Sequence, residues 1–237
     1  MNTSVAILAG GLATRLRPLT KNLPKSMIEI HGKPFFEYQL ALLKKQGLTN
    51  IVACVGYQGK QIEKYFGNGS RFGVNLQYSY DGKTLLGTGG SLRHAFPLLS
   101  EVFLVIYGDS YLDIEYAPVI QGFLKKYQGL PDSPLALMTV YKNDNQLEQS
   151  NVCFHEGNII QYEKQNPTLE MKHIDWGLNI FSKQAFAESS FPTRFDLTDL
   201  YQQLIPAKKV MGHEVFQRYY EIGSHQGLEE FKELMQD

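Results

Sequence analysis

A glycine pair followed by two cations is the part of the sequence best suited to chemistry. Gly10 and Gly11 follow the short apolar run 5–8, and Arg15 and Lys25 come shortly after them. Glycine lacks a Cβ, so its backbone N–H can approach an anion closely. Two cations beside such a loop suit a triphosphate, whose charge must be neutralised as it reacts. The GxxxxGK[ST] and GxGxxG spacings are absent here, so general motif rules leave a plain surface turn as an alternative.

Two further segments carry residues of interest. Gly87, Thr88 and Gly89 open a predicted helix, where backbone N–H groups and the helix dipole favour anions, although such a helix start is more often structural. Asp109 follows the apolar run 102–106, a typical buried strand. Open α/β sheets bind ligands where their strands end. One or two carboxylates, completed by phosphate oxygens and water, are what Mg²⁺ prefers.

The elements that must position these residues alternate between strand and helix in the first half of the chain. Apolar patterns predict strands at 5–8, 50–55, 74–80 and 102–106, and helices at 34–46, 58–66 and 89–99. This order predicts an α/β fold, a Rossmann-like mixed, mostly parallel sheet flanked by helices. The second half is richer in strands, at 135–141, 152–155, 159–163 and 176–181, with helices at 197–205 and 227–235.

No linker or repeat divides the chain, so we expect one domain over 1–237. Within it, a nucleotide-binding half (about 1–134) should precede a half (about 135–237) that closes over a second substrate. The formal net charge of −1 argues against a nucleic-acid partner. No apolar run approaches the ~20 residues of a membrane span, and no signal-peptide pattern precedes residue 5, so we expect a cytoplasmic protein.

The run 8–25, with its strand, GGxxxR loop and downstream Pro-Lys, resembles the signature of the sugar-phosphate nucleotidyltransferases. The order and spacing of later motifs agree with that family over almost the whole chain. The resemblance implies that the first loop binds a triphosphate and that Arg15 and Lys25 are catalytic. It also implies a nucleotide-binding set consisting of Leu8, Ala9, Gly10, Gly11, Arg15, Lys25, Gly87, Thr88 and Gly89.

The same resemblance implies a metal site and a second substrate site. Asp109 matches a catalytic aspartate that binds Mg²⁺, and Glu221 stands where the family has a second metal-binding aspartate. The longer glutamate side chain is a departure that bears on the metal geometry. The implied sugar-phosphate-binding residues are Gly108, Glu163, Lys164, Gly177 and Asn179.

The implied reaction transfers a nucleotidyl group from an NTP to a sugar 1-phosphate, giving an NDP-sugar and pyrophosphate, with Mg²⁺ as cofactor. The chain most resembles guanylyltransferases acting on heptose or mannose 1-phosphate. A uridylyl- or cytidylyltransferase acting on another phosphate stays open, as does a homo-oligomer. Glu221 also keeps open a non-catalytic regulatory protein that binds a sugar nucleotide.

Overall fold

A computed structural model describes residues 3–11, 16, 20–56, 58–130, 132–187 and 190–236. Its strands are β1 (Ser4–Leu8), β2 (Glu29–Ile30), β3 (Lys33–Pro34), β4 (Asn50–Val55), β5 (Asn75–Tyr80), β6 (Val102–Tyr107), β7 (Ser110–Tyr111), β8 (Ala136–Lys142), β9 (Val152–His155), β10 (Asn158–Tyr162), β11 (His173–Ser182), β12 (Val210–Val215) and β13 (Tyr220–Glu221). Its α-helices are α1 (Phe35–Lys45), α2 (Gly59–Phe66), α3 (Gly87–His94), α4 (Tyr116–Lys126), α5 (Gln184–Ala187), α6 (Leu197–Leu204) and α7 (His225–Leu234).

Nine strands form one mixed sheet in the order β5-β4-β1-β6-β11-β8-β12-β10-β9. The first four are parallel, and Leu8 at the end of β1 pairs with Cys54 on β4 and Tyr107 on β6. Because parallel strands end at one edge, the loops after β1, β4 and β6 lie side by side. The later strands pair mostly antiparallel, and β8 with β12 is the parallel exception. This arrangement confirms the predicted mixed α/β sheet.

Both faces of the sheet are buried. Along β6, Leu104 and Ile106 pack into one apolar core while Phe103 and Val105 pack into the other. Successive side chains of a strand point to opposite faces, so a wholly apolar strand requires cover on both sides. Helices α1, α2 and α4 cover the first face, and α3, α5 and α6 cover the second.

A third apolar cluster joins the two ends of the chain. Phe35 of α1 packs edge-on against Phe231 of α7, with ring centroids 5.0 Å apart. Leu16 and Ile222 are buried in the same cluster. This packing brings the segment that follows the glycine loop next to the segment that carries β13.

Seven elements are absent from the sequence-based predictions: the two-residue strands β2, β3, β7 and β13, the four-residue helix α5, and the longer elements α4 and β12. Helix α4 directly follows an aromatic-rich stretch whose apolar residues gave no clear period. Strand β12 has the sequence VMGHEV, in which Gly212 and two polar residues obscure the alternation. Within the described ranges, every helix is too short or too polar to span a lipid bilayer.

Candidate active site

A cleft of about 280 Å³ opens at the edge where β1, β4 and β6 end. Residues from both predicted nucleotide loops line it, together with the predicted catalytic pair. Those predicted residues are Leu8, Ala9, Gly10, Gly11, Lys25, Gly87, Thr88, Gly108 and Asp109. Arg15 lies outside the described residues, so its predicted role stays a prediction.

Lys25 and Asp109 form an ion pair at one end of this cleft. Lys25 Nζ donates to Asp109 Oδ2 at 2.7 Å, and the two side chains are 18% and 28% exposed. Lys25 opens a short 3₁₀ turn after Pro24, and Asp109 comes two residues after the end of β6. The pair is therefore shielded from bulk water yet reachable by a ligand, and charge interactions are stronger there than at an open surface.

Gly108 allows the turn that carries Asp109 to pack against β1. Its N–H donates to the carbonyl of Leu8 at 3.0 Å. A Cβ at position 108 would lie 2.9 Å from that carbonyl oxygen and 3.0 Å from Cα of Ala9, so no larger residue fits. Gly108 was predicted to bind the sugar phosphate. The structure places Gly108 in the wall of the cleft, against the first glycine loop, and its predicted role stays a prediction.

Glu221 lies beside Asp109 because two short strands pair. On β13, Glu221 is opposite Ser110 of β7, and the N–H of Ile222 donates to the carbonyl of Asp109 at 2.9 Å. The Glu221 carboxylate accepts hydrogen bonds from the N–H of Gly223 and the hydroxyl of Ser224. Ser224 is the N-cap of α7, and a helix N-terminus stabilises a carboxylate.

The space around Gly223 tests whether these residues suit Mg²⁺. A Cβ on Gly223 would lie 2.5 Å from Glu221 Oε2, 3.2 Å from Asp109 Oδ2 and 3.1 Å from Lys25 Nζ. Two carboxylates and one ammonium therefore converge on the space that a side chain at position 223 would fill. Across the described ranges, no three His, Cys, Asp or Glu side chains group together. Two carboxylates completed by phosphate oxygens and water are a donor set that Mg²⁺ accepts.

The second glycine loop is hydrogen-bonded to residues of the second half of the chain. Thr88 donates its N–H to Asp196 Oδ1 at 2.9 Å, and the N–H groups of Gly89 and Gly90 both donate to the carbonyl of Phe195 at 3.1 Å. The sequence predicted that N–H groups of Gly87, Thr88 and Gly89 favour an anion. Those of Thr88 and Gly89 are occupied, as is that of Gly90, so these three N–H groups are not offered to a ligand.

Asp81 is a cleft residue that the sequence analysis missed. It follows β5, and its carboxylate accepts from the N–H of Leu86 at 3.1 Å and from the hydroxyl of Ser91. It lines the cleft together with Leu85 and Cys54. Asp-Gly after a strand has the usual signature of a turn, so its position in the cleft gave no separate signal in the sequence.

Two of the predicted sugar-phosphate residues, Lys164 and Gly177, lie beside Tyr107, which also lines the cleft. Lys164 Nζ is 5.9 Å from the centroid of the Tyr107 ring and 5.4 Å from that of Tyr162, a cation–π arrangement. Glu163 Oε1 instead accepts from the N–H of Gln165 at 2.7 Å, which stabilises the turn after β10. Lys164 is thus near the cleft, and Glu163 is engaged in its own loop.

Asp175 links Tyr107 to the remaining predicted residues and was also missed. Its Oδ1 accepts from the N–H of Gly177 at 3.0 Å and from Asn179 Nδ2 at 3.3 Å. Asn179 is fully buried and accepts from the hydroxyl of Tyr201 at 2.9 Å, so it supports Asp175 from behind the site. Burial raises the pKa of the Asp175 carboxyl, and the nearby Lys164 ammonium partly opposes this rise.

Comparison with known proteins agrees with this geometry. The nucleotidyl transferase family model matches residues 4–237. A D-glycero-alpha-D-manno-heptose 1-phosphate guanylyltransferase of Aneurinibacillus thermoaerophilus is 30% identical, over 92% of this chain and 91% of that protein. An N-acetylmuramate alpha-1-phosphate uridylyltransferase of Neisseria meningitidis is 41% identical, over 48% of this chain and 50% of that protein. The chain thus matches about half the length of the Neisseria relative.

The fold is shared with solved structures. A Bacillus anthracis protein assigned as a glucose-1-phosphate thymidylyltransferase superposes with a TM-score of 0.86 at 20% identity, over 99% of this chain and 96% of that chain. The chain belongs to the nucleotidyl transferase family. The predicted family and fold class are both confirmed. Enzymes of this family bind an NTP and a sugar 1-phosphate and generally use a divalent metal ion.

Proposed function

We propose that the chain transfers a nucleotidyl group from an NTP to a sugar 1-phosphate and releases pyrophosphate. The observation that carries this proposal is the convergence of Lys25, Asp109 and Glu221 around Gly223, where Lys25 and Asp109 also line the cleft. A triphosphate in that cleft would bring its α-phosphate to the Lys25 ammonium and the two neighbouring carboxylates. A protein that only binds sugar nucleotides has no need for this arrangement.

In the proposed reaction, an oxygen of the sugar 1-phosphate attacks the α-phosphorus in line and pyrophosphate leaves. No general base is needed, because a phosphate monoester is already ionised near pH 7. Lys25 stabilises the negative charge on the α-phosphate as the transition state forms. Asp109 and Glu221 would hold Mg²⁺, which neutralises phosphate charge when bound. Asp109 also fixes Lys25 through their ion pair, so the ammonium is oriented before substrate arrives.

We assign nucleotide binding to about 1–134 and sugar-phosphate binding to about 135–237. Lys164 would bind the phosphate of the acceptor, and Tyr107 connects its position to the nucleotide cleft. Asp175 would orient Lys164 and face the sugar. Asp196 joins the halves, because it comes from the second half and bonds Thr88 in the first. A cytoplasmic location, where NTPs are available, is part of the proposal.

Guanylyl transfer to a heptose- or mannose-type phosphate is the favoured substrate pair. The Aneurinibacillus guanylyltransferase aligns over nearly the whole of both chains. Asp81 supports the same choice, since a carboxylate only accepts hydrogen bonds and guanine offers N1–H and N2–H as adjacent donors. Uridylyl transfer is the second candidate, because the Neisseria uridylyltransferase has the higher identity over a shorter match.

A matrix of substrates tests the proposal. GTP, UTP, CTP and dTTP are each paired with heptose, mannose, glucose and N-acetylmuramic acid 1-phosphates, and pyrophosphate release is followed with Mg²⁺ present. GTP with heptose or mannose 1-phosphate should give the highest kcat/KM, and Asp81→Asn should reduce the preference for GTP over UTP. Equal rates for GTP and UTP in the wild type would refute the role of Asp81 and leave the transfer reaction intact.

A further inference from the structure

Helix α1 carries a buried amide that faces the active-site turn. Gln39 is 2% exposed and lies among apolar residues of the core. Burying an amide among apolar side chains is costly unless its polar atoms are hydrogen-bonded. Its Oε1 has no partner among the described residues, so the favourable contacts of this amide are made by Nε2.

Nε2 of Gln39 bonds to both ends of the turn between β6 and β7. It donates to the carbonyl of Tyr107 at 2.9 Å and to the carbonyl of Ser110 at 2.8 Å. The two residues between these carbonyls are Gly108 and Asp109. A single NH₂ group therefore spans the turn that presents the catalytic carboxylate. If the amide were turned the other way, Oε1 would point at two carbonyl oxygens, and none of the three could donate a hydrogen bond. The orientation with Nε2 toward the carbonyls is therefore the correct one.

Two further hydrogen bonds to the backbone of this turn come from backbone atoms. Gly108 donates to the carbonyl of Leu8 at 3.0 Å, and the carbonyl of Asp109 accepts from Ile222 at 2.9 Å. Gln39 thus contributes the side-chain bonds that a substitution can remove without altering the strands. It does not line the cleft, so it acts on the reaction only through the turn.

We infer that Gln39 is a positioning residue for Asp109, fixing its carboxylate against Lys25 and beside Glu221. This inference rests on the proposed function, because it assigns Asp109 to the binding of Mg²⁺ and substrate. The competing explanation is that Gln39 only anchors α1 to the sheet. The two explanations differ in what they predict for metal binding, since a displaced turn misplaces Asp109 whereas a loosened helix lowers stability alone.

Gln46, the residue directly after α1, provides a matched control. Its Nε2 donates to the carbonyl of Ile114 at 2.9 Å and its Oε1 accepts from the N–H of Tyr116 at 3.2 Å. It therefore also bonds twice to the backbone that follows β7, but several residues beyond Asp109. Gln46→Met likewise removes two side-chain hydrogen bonds to backbone atoms, one donated and one accepted, without touching the turn.

The experiment compares Gln39→Met with Gln46→Met, because methionine matches glutamine in length and lacks its donors. Steady-state turnover gives kcat and the Mg²⁺ concentration for half-maximal rate. A readout independent of turnover is the rise in Tm that Mg²⁺ adds in the presence of the α,β-methylene analogue of GTP, repeated with the UTP analogue. Gln39→Asn, which keeps the amide but shortens the side chain, serves if the methionine variant fails to fold.

For Gln39→Met we expect kcat to fall about tenfold or more, since a displacement approaching 1 Å costs up to roughly 10²-fold. The Mg²⁺ requirement should rise several-fold and the Mg²⁺-dependent gain in Tm should shrink. Gln46→Met should keep wild-type values for all three. An unchanged Mg²⁺ requirement and an unchanged Mg²⁺-dependent gain in Tm in folded Gln39→Met or Gln39→Asn would overturn the inference. Equal changes in the Gln46→Met control would also overturn it. Neither result would contradict the proposed function. A wild type with neither turnover nor a Mg²⁺-dependent gain in Tm would overturn the proposed function and the inference together.

Discussion

Gly223 offers a direct way to perturb the proposed metal site without removing any charged group. Its Cα faces the point where Glu221, Asp109 and Lys25 converge. Gly223→Ala adds one methyl group there, at a backbone position without positive φ. The substitution should therefore leave the fold intact and act only on the side chains around the new Cβ.

The size of the effect follows from the distances. The new Cβ would lie 2.5 Å from Glu221 Oε2, while ordinary contacts begin at 3.4 Å, so the carboxylate must move by about 0.9 Å. Gly227 encloses the same carboxylate on another side, because a Cβ there would be 2.3 Å from Glu221 Oε1. A misplacement near 1 Å costs roughly 10²-fold in rate, which corresponds to about 2.7 kcal/mol of transition-state stabilisation.

The assay measures kcat and the Mg²⁺ dependence of pyrophosphate release for Gly223→Ala beside Gly122→Ala. Gly122 lies in α4 and has open space where a Cβ would go. Its replacement should retain full activity and add about 0.5–1 kcal/mol of stability, because alanine favours the helix.

We expect Gly223→Ala to melt within a few degrees of the wild type while losing about two orders of magnitude in kcat. A folded Gly223→Ala protein with wild-type kcat and Mg²⁺ dependence would refute the reasoning. It would mean that the Glu221 carboxylate can move freely, or that it has no part in the reaction.

Three further predictions concern single residues. Asp109→Asn should lower kcat by about 10²-fold or more with an unchanged circular dichroism spectrum, since it removes a metal-binding charge and the partner of Lys25; a loss under fivefold would count against it. Asp196→Ala should cost about 1 kcal/mol, or about 2–4 °C in Tm, because α6 loses its N-cap, and should raise the KM for NTP, because Thr88 loses its hydrogen-bond acceptor. An unchanged Tm and KM would contradict this. Burial raises the pKa of the Asp175 carboxyl, so the folded protein favours its protonated form. The stability that this form contributes is fully present below the unfolded-state pKa and is lost as pH rises through the folded-state pKa. The Tm of Asp175→Asn minus that of wild type should therefore be larger at pH 8 than at pH 4, and melting curves with no such trend would disprove it.

Strong apolar patterns predicted most of the first half of the fold. The run 102–106 is β6 in full except for Tyr107, and the run 5–8 is β1 except for Ser4. These strands are buried on both faces, so every position is apolar and the signal is continuous. Strand β12 gave no such signal, because Gly212 stands where a Cβ would meet the Phe154 ring at 2.6 Å. Packing against Phe154 of β9 therefore requires glycine at this position, and the local hydrophobic periodicity of β12 does not reveal that requirement.

Residues of the candidate site could be predicted from the sequence where they belong to a known motif. Gly10, Gly11, Lys25 and Asp109 belong to recognisable motifs and meet in one cleft. Gln39 was not predictable, since a glutamine in an amphipathic helix carries no sign that it bonds to a turn far along the chain.

The same limit applies to Asp175 and Asp196. Their partners Tyr107 and Thr88 lie 68 and 108 residues away, and only the folded chain brings them together. Long-range pairing of this kind depends on strand order, which the alternation of elements does not specify.

The most direct test of the account is pyrophosphate release from GTP and a heptose or mannose 1-phosphate, with and without Mg²⁺, for the wild type and for Lys25→Ala. The account predicts Mg²⁺-dependent release that a chelator abolishes and that falls by two orders of magnitude or more in the variant. Release that persists in Lys25→Ala, or a folded wild type that binds NTP yet releases no pyrophosphate with any sugar 1-phosphate tested, would contradict it.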